Sequence, residues 1–153
     1  MPDKSKPINR QHIIFTLDNE YYAVEIEKIK EIIGYKALTR IPNMPHFMKG
    51  VIDIRGEAVP VIDIRNKFSL PDREYDNFTV VLVLHIRGKT IGTIVDNVSD
   101  VIHFKEEEIQ PAPKFSMSAI SDNYVAGVVK QADHFVIILD IDRILMEDEI
   151  NVI

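Results

Sequence analysis

Along most of this chain, apolar residues alternate with polar ones or fall in short β-branched runs, the pattern of strands rather than helices. Ile13, Phe15 and Leu17 alternate up to Asp18-Asn19-Glu20, which reads as a turn before a second strand, Tyr21 to Ile26. Three further hairpins have the same signature. Val51 to Ile54 and Ala58 to Ile64 flank Arg55-Gly56-Glu57, and Val80 to Ile86 and Thr90 to Val95 flank Arg87-Gly88-Lys89. Val125 to Val129 and Phe135 to Leu139 flank Gln131-Ala132-Asp133. Such short polar insertions permit tight chain reversal. Pro60 has no N–H for a ladder, so its strand is expected at a sheet edge or a bulge. Helical spacing is rarer. Ile26, Ile29, Ile32 and Ile33 would share one helix face ending at Gly34; Ile141, Ile144 and Leu145 would share another, with Asp140 placed to cap it. Segments 40–48 and 105–120 carry prolines and read as connections, with Glu106 to Glu108 as the charged start of a helix.

The same pattern occurs twice. Gly50 to Ile64 aligns without a gap on Gly127 to Ile141, with Gly, Val, Val, Asp and Ile recurring identically. Ile26 to Ile33 aligns on Val95 to Ile102, and Ile13, Phe15 and Leu17 align on Leu82, Leu84 and Ile86. Three blocks in one order point to two copies of one β unit, about 11–70 and about 76–146, inside a single domain spanning 11–148. Residues 1–10 are expected to form a flexible segment and 149–153 a tail. Units of ~70 residues bury too little surface to be stable alone, so each is expected to curl into a small barrel and pack on the other. The seam between them is a natural groove for a ligand or peptide.

Composition narrows the function. The 153 residues include no cysteine, which excludes disulfides and thiol chemistry. The net charge of −6, with Lys and Arg scattered, argues against nucleic acid or an anionic membrane as partner. The N-terminus lacks the apolar core of a secretory signal, and no apolar run approaches the roughly 20 residues that cross a membrane. A cytoplasmic setting is expected. The five histidines fall in separate segments without metal-ligand spacing, and no phosphate-binding glycine loop or nucleophile elbow occurs. Asp96 and Asp100 could form a carboxylate pair, but the plainer reading is a solvated turn beside buried Val95, Val98 and Val101. No catalytic residue, metal or cofactor is expected; the pattern is that of a binding module.

Glu31 to Phe68 strongly resembles the CheW family of bacterial chemotaxis coupling proteins, through the K-G-V-x-x-x-R-G-x-x-x-P-V-x-D-x-R pattern from Lys49 to Arg65. Val95 to Val101, Pro111-Ala112-Pro113, Gly127 and Ile138-Leu139-Asp140 extend the likeness over residues 10–148. Asp53 departs from the usual Asn and Asn97 from a frequent Gly. The resemblance implies two five-stranded barrels, similar to Src-homology-3 barrels, sharing an apolar core, and a non-enzymatic adaptor. Its implied partners are the regulatory domain of the histidine kinase CheA and the cytoplasmic tips of methyl-accepting chemoreceptors, which would draw the protein to receptor arrays at the inner face of the membrane. A coupling module or small-ligand-binding β domain of another signalling system is the alternative. By resemblance Arg55 is the key receptor contact, Ile29, Val98 and Val101 wall the receptor groove, and Glu31 lies on its rim. Val80, Val81 and Gly50 belong to the same receptor-binding set, while Gly56 and Gly127 are structural turn glycines.

Overall fold

A computed structural model describes residues 9–45, 47–112 and 124–145, together with Glu149. Among these described residues are ten strands. The first five are β1 (Asn9–Leu17), β2 (Glu20–Glu25), β3 (Ile29–Gly34), β4 (Met48–Ile54) and β5 (Glu57–Asp63). The second five are β6 (Val80–Ile86), β7 (Lys89–Val95), β8 (Asn97–Lys105), β9 (Val125–Gln131) and β10 (His134–Leu139). A one-turn helix, α1 (Ile64–Lys67), follows β5, and single 3-10 turns lie at Ile26–Lys28, Glu106–Glu108 and Ile141–Arg143. Three of the hairpins turn on two residues at positive φ: Asp18-Asn19, Arg55-Gly56 and Arg87-Gly88. That backbone matches the twist of the flanking strands.

The sheets are partitioned differently from the repeats. One sheet has the order β8-β1-β2-β10-β9, the other β3-β6-β7-β5-β4. Each takes the first hairpin of one repeat and the remaining strands of the other. Exchanging the repeats converts one order into the other, and the registers agree. Ile29 pairs with Leu84 where Val98 pairs with Phe15, and Val61 pairs with Gly92 where Ile138 pairs with Ala23. Even the irregularities recur: β3 bulges at Lys30 and β8 at Ser99, β4 at Lys49 and β9 at Ala126.

Three apolar clusters follow from this arrangement. Ile14, Phe104, Val129 and Ile138 fill the interior of the first sheet; Ile52, Val61, Val81 and Ile94 fill that of the second. Between the sheets lies a shared core to which Phe15, Leu17 and Leu139 contribute from one side and Ile62, Leu82 and Leu84 from the other. Each such side chain, once buried, is worth about 1.5–3 kcal/mol. The alternation along β1 and β6 serves both layers at once: Ile14 and Val83 face their own sheet's interior, while Phe15 and Leu84 face the shared core.

Four expectations need correction. Ile29 to Gly34 is a strand, not a helix. Its burial alternates, it pairs with β6, and the extra residue at the Lys30 bulge shifts the phase so that the isoleucines mimic helical spacing. Pro60 lies on β5, an interior strand. It is tolerated because Val51, opposite it on β4, spends both backbone groups on Thr39, and because pairing of β5 with β7 begins one residue later, at Val61. Glu106 to Glu108 forms one 3-10 turn and no longer helix. Asp140 makes no capping hydrogen bond at its 3-10 turn; its carboxylate meets Arg143 Nε at 3.3 Å instead. Residues 113–120 of the longer connection lie outside the described residues.

Candidate functional site

The positions singled out by sequence gather on β3, β8 and the β4–β5 turn. β3 and β8 are edge strands of their respective sheets and repeat equivalents of each other. Ile29 and Val98 pack against the shared core, half-buried. Ile32 and Val101, one bulge further along, point outward and are 43% and 48% exposed. Ile32 was not singled out as a contact. The repeat alignment held the signal, since it sets Ile32 on Val101. Each edge strand thus carries the same pair, a half-buried apolar residue followed by an exposed one.

Arg55 stands at the β4–β5 turn with its side chain 82% exposed and donates from Nη2 to Glu31 Oε1 at 3.3 Å. Its φ of 52° is one that arginine rarely adopts. Gly56, at φ 83°, completes the turn, and its N–H donates to Asp53 Oδ1 at 2.8 Å. Aspartate thus supplies at position 53 the same acceptor an asparagine would. Asn97 opens β8 without positive φ, so nothing there requires the freedom of glycine. Lys36 Nζ donates to Asp53 O at 3.2 Å, and Thr39 bridges Val51. These contacts tie the connection after β3 to β4, and the Glu31 pair sets Arg55 beside β3.

Other members of the predicted set lie deeper. Val81 is 0% exposed, because β6 alternates between the two clusters, with Val81 and Val83 in the second sheet's own interior and Leu82 and Leu84 in the shared core. It supports the surface rather than forming it. Val80, its neighbour, is half-buried against the shared core. Gly50 is buried in β4; a Cβ there would lie 2.7 Å from Thr39 O. Gly127 is the equivalent residue of β9, within a strand and not in a turn, and a Cβ there would meet Gln110 O at 2.9 Å. Both glycines let a connection cross the face of an edge strand, as the bridges Thr39–Val51 and Gln110–Val128 show. Gly50 is therefore structural and cannot itself touch a partner.

Asp96 is the largest departure from the sequence reading. Instead of lying in a solvated turn it is 8% exposed, while Val101, expected to be buried, is open. Buried Arg65 donates to it from Nε at 3.0 Å and from Nη2 at 2.6 Å. Arg73 Nη1 and Asp18 N–H also donate to its Oδ2, at 2.7 and 2.9 Å. Arg65 further bonds Asp18 Oδ1 and Pro71 O. Burial disfavours the charge on Asp96, but the Arg65 hydrogen bonds, the Asp18 N–H and the nearby guanidinium charges outweigh it and hold the carboxyl below the usual range. Asp18 belongs to the β1–β2 turn and Arg65 to the turn of helix after β5, so the cluster fastens one sheet to the other. Asp100 stays exposed. No sequence signal marked Asp96 as the partner of Arg65.

Concave sites lie elsewhere. A cavity of about 500 Å³ is bordered by His12, Phe104, Ile109, Ala126 and Ile138, and one of about 410 Å³ by Tyr35, Leu38, Lys49, Asp63 and Tyr75. They occupy equivalent places in the two sheets. Among the described residues no three His, Cys, Asp or Glu side chains gather as metal ligands, and no helix is long and apolar enough to cross a membrane.

Comparison with known proteins places this geometry. The CheW-like domain family matches residues 11–149. The chain is 40% identical to the chemotaxis protein CheW of Klebsiella aerogenes over 95% of its own length and 87% of the relative's. It is 32% identical to the chemotaxis protein CheW of Bacillus subtilis, covering 87% of this chain and 85% of that one. The crystal structure of the scaffolding protein TtCheW from Thermoanaerobacter tengcongensis superimposes with a TM-score of 0.83 at 28% identity, over 97% of this chain and 96% of that one. With its paired five-stranded sheets and its extended match to these relatives, the chain belongs to the CheW-like family and is a chemotaxis coupling adaptor, not an enzyme.

Proposed function

We propose that the protein joins the cytoplasmic tips of methyl-accepting chemoreceptors to the regulatory domain of the histidine kinase CheA, at receptor arrays on the inner face of the membrane. The receptor tip, a helical hairpin, lays an apolar stripe along the β3–β8 strip, and Arg55 receives a carboxylate or carbonyl of the same hairpin. The observation that carries this reading is the exposure of Ile32 and Val101 at equivalent points of two edge strands, beside an arginine that Glu31 holds in place. Exposed apolar anchors at matched spacing suit a helix in a groove, and arginine is enriched among interface residues that dominate affinity. The kinase takes a separate surface, so one adaptor fixes the geometry between two partners, and repetition in an array strengthens weak single contacts.

Arg55→His tests the receptor half of the proposal. Its expected outcome is weakened capture of a receptor cytoplasmic fragment, with kinase binding and the circular-dichroism melt unchanged. A variant that unfolds would assign Arg55 a structural role instead, and one that binds receptor as well as the parent would remove it from the interface.

A further inference from the structure

The internal repeat creates a problem of direction. Ile29 with Ile32 and Val98 with Val101 are equivalent pairs, so the apolar strip presents nearly the same face to a hairpin laid along it either way round. Apolar contact alone cannot choose.

Charge breaks the equivalence. At the β3 end the neighbouring groups are Lys30, His85 and Arg87, all exposed, with Lys89 one residue past the β6–β7 turn. Lys30 Nζ donates to Thr90 Oγ1 at 2.8 Å, which fastens it to that turn. The equivalent positions at the β8 end are Ser99, Thr16, Asp18 and Glu20. There Arg65 and Arg73 offset Asp18 and Asp96 through the buried cluster, leaving exposed Glu20 and Asp100 to set the sign. At the β3 end Lys28 is matched by Asp142 at 2.9 Å and Glu31 by Arg55; exposed Glu27, the repeat equivalent of Asp96, offsets one further charge, and Lys30 with Arg87 still leaves this end net positive. The two hairpin turns flanking the strip therefore carry opposite charge in a protein whose net charge is −6.

We propose that Lys30 and Arg87 form a basic end of the strip that receives the acidic flank of the receptor hairpin and so fixes the direction in which it lies. This rests on the receptor-groove reading above. Complementary rim charges contribute more to orientation, association rate and rejection of wrong poses than to affinity, and their effect is screened by salt.

The absence of cysteine allows a direct readout. His85→Cys places a single thiol at the basic end, to be paired with single cysteines along either flank of a soluble receptor cytoplasmic fragment. The expected result is disulfide formation with the flank richer in Glu and Asp. In the Lys30→Glu/Arg87→Glu background that preference disappears and fragment binding weakens about tenfold at about 50 mM salt, a difference that closes at about 0.5 M. Binding of the CheA regulatory domain and the thermal melt stay unchanged. Unaltered crosslinking and affinity in the charge-reversed variant, while Val101→Glu abolishes binding, would overturn the directional role and leave the groove standing. Unaltered binding in Ile32→Glu and Val101→Glu as well would overturn both.

Discussion

Replacing Asp96 with alanine removes the main partner of a guanidinium with almost no access to water: the Arg65 side chain is 3% exposed and that of Asp96 9%. Three of the hydrogen bonds that hold the two sheets together around this point end on Asp96 Oδ2. Removing one member of a buried ion pair costs about 3–5 kcal/mol, because the other charge stays buried, here with only Asp18 Oδ1 and Pro71 O left to it. A domain's total stability is about 5–15 kcal/mol, so the loss is a large part of it. With a urea slope of about 2 kcal/mol per molar, the unfolding midpoint falls by roughly 2 M. Arg65→Met/Asp96→Leu, which removes both charges and keeps the volume apolar, recovers most of that loss. Acid gives an independent reading. The Asp96 carboxyl is held below its unfolded value, so its contribution is in place at neutral pH and disappears as pH falls below about 4. Asp63 works in the other direction. Burial pushes its carboxyl up despite hydrogen bonds from the Arg65 N–H and the Tyr75 hydroxyl, so its contribution grows as pH falls. The informative curve is therefore the parent minus Asp96→Ala, which should shrink toward low pH. Urea titrations at pH 7 and below pH 4 measure both. A loss under about 1 kcal/mol at pH 7, or a difference independent of pH, would refute the claim that this cluster clasps the sheets.

Thr93 Oγ1 is buried with no hydrogen-bond partner, while the equivalent residue of the other repeat is Val24, also buried. Thr93→Val should therefore stabilise by about 1 kcal/mol, raising the melting temperature by roughly 2–4 °C in calorimetry. Gly50→Ala and Gly127→Ala each force a Cβ against backbone oxygen and should cost about 2–3 kcal/mol in chemical denaturation; Gly56→Ala meets no atom and should cost about 1 kcal/mol, from its positive φ alone. Arg55→Asn puts the residue best suited to positive φ at the first position of the β4–β5 turn, so stability should hold or rise by about 0.5 kcal/mol while receptor-fragment binding falls. A stability loss in Arg55→Asn would show that the Glu31 pair matters more to the fold than the turn does.

Much of this architecture was written in local pattern. The four hairpins, the repeat and the Arg55-Gly56 turn could each be read from a few adjacent residues. β3 could not, because a 3-10 turn followed by a bulge sets Ile26, Ile29, Ile32 and Ile33 at intervals that a helix would also produce. The exchange of strands between repeats left no trace, since a hairpin has the same sequence requirements in either sheet. Arg65 and Asp96 are 31 residues apart, and nothing local marks them as partners. The site divided similarly. Arg55, Ile29, Val98 and Val101 were legible through the family pattern, but that pattern does not separate surface positions such as Val101 from supports such as Val81 and Gly50. Burial makes that distinction, and burial depends on how the strands are stacked.

The most direct test of the account is a pull-down of the purified protein against a CheA regulatory domain and a receptor cytoplasmic fragment, each alone and then both together. The account predicts binding to each and a ternary complex, because the two partners use separate surfaces. Binding to neither by a protein shown to be folded, or competition between the two in place of a ternary complex, would contradict it.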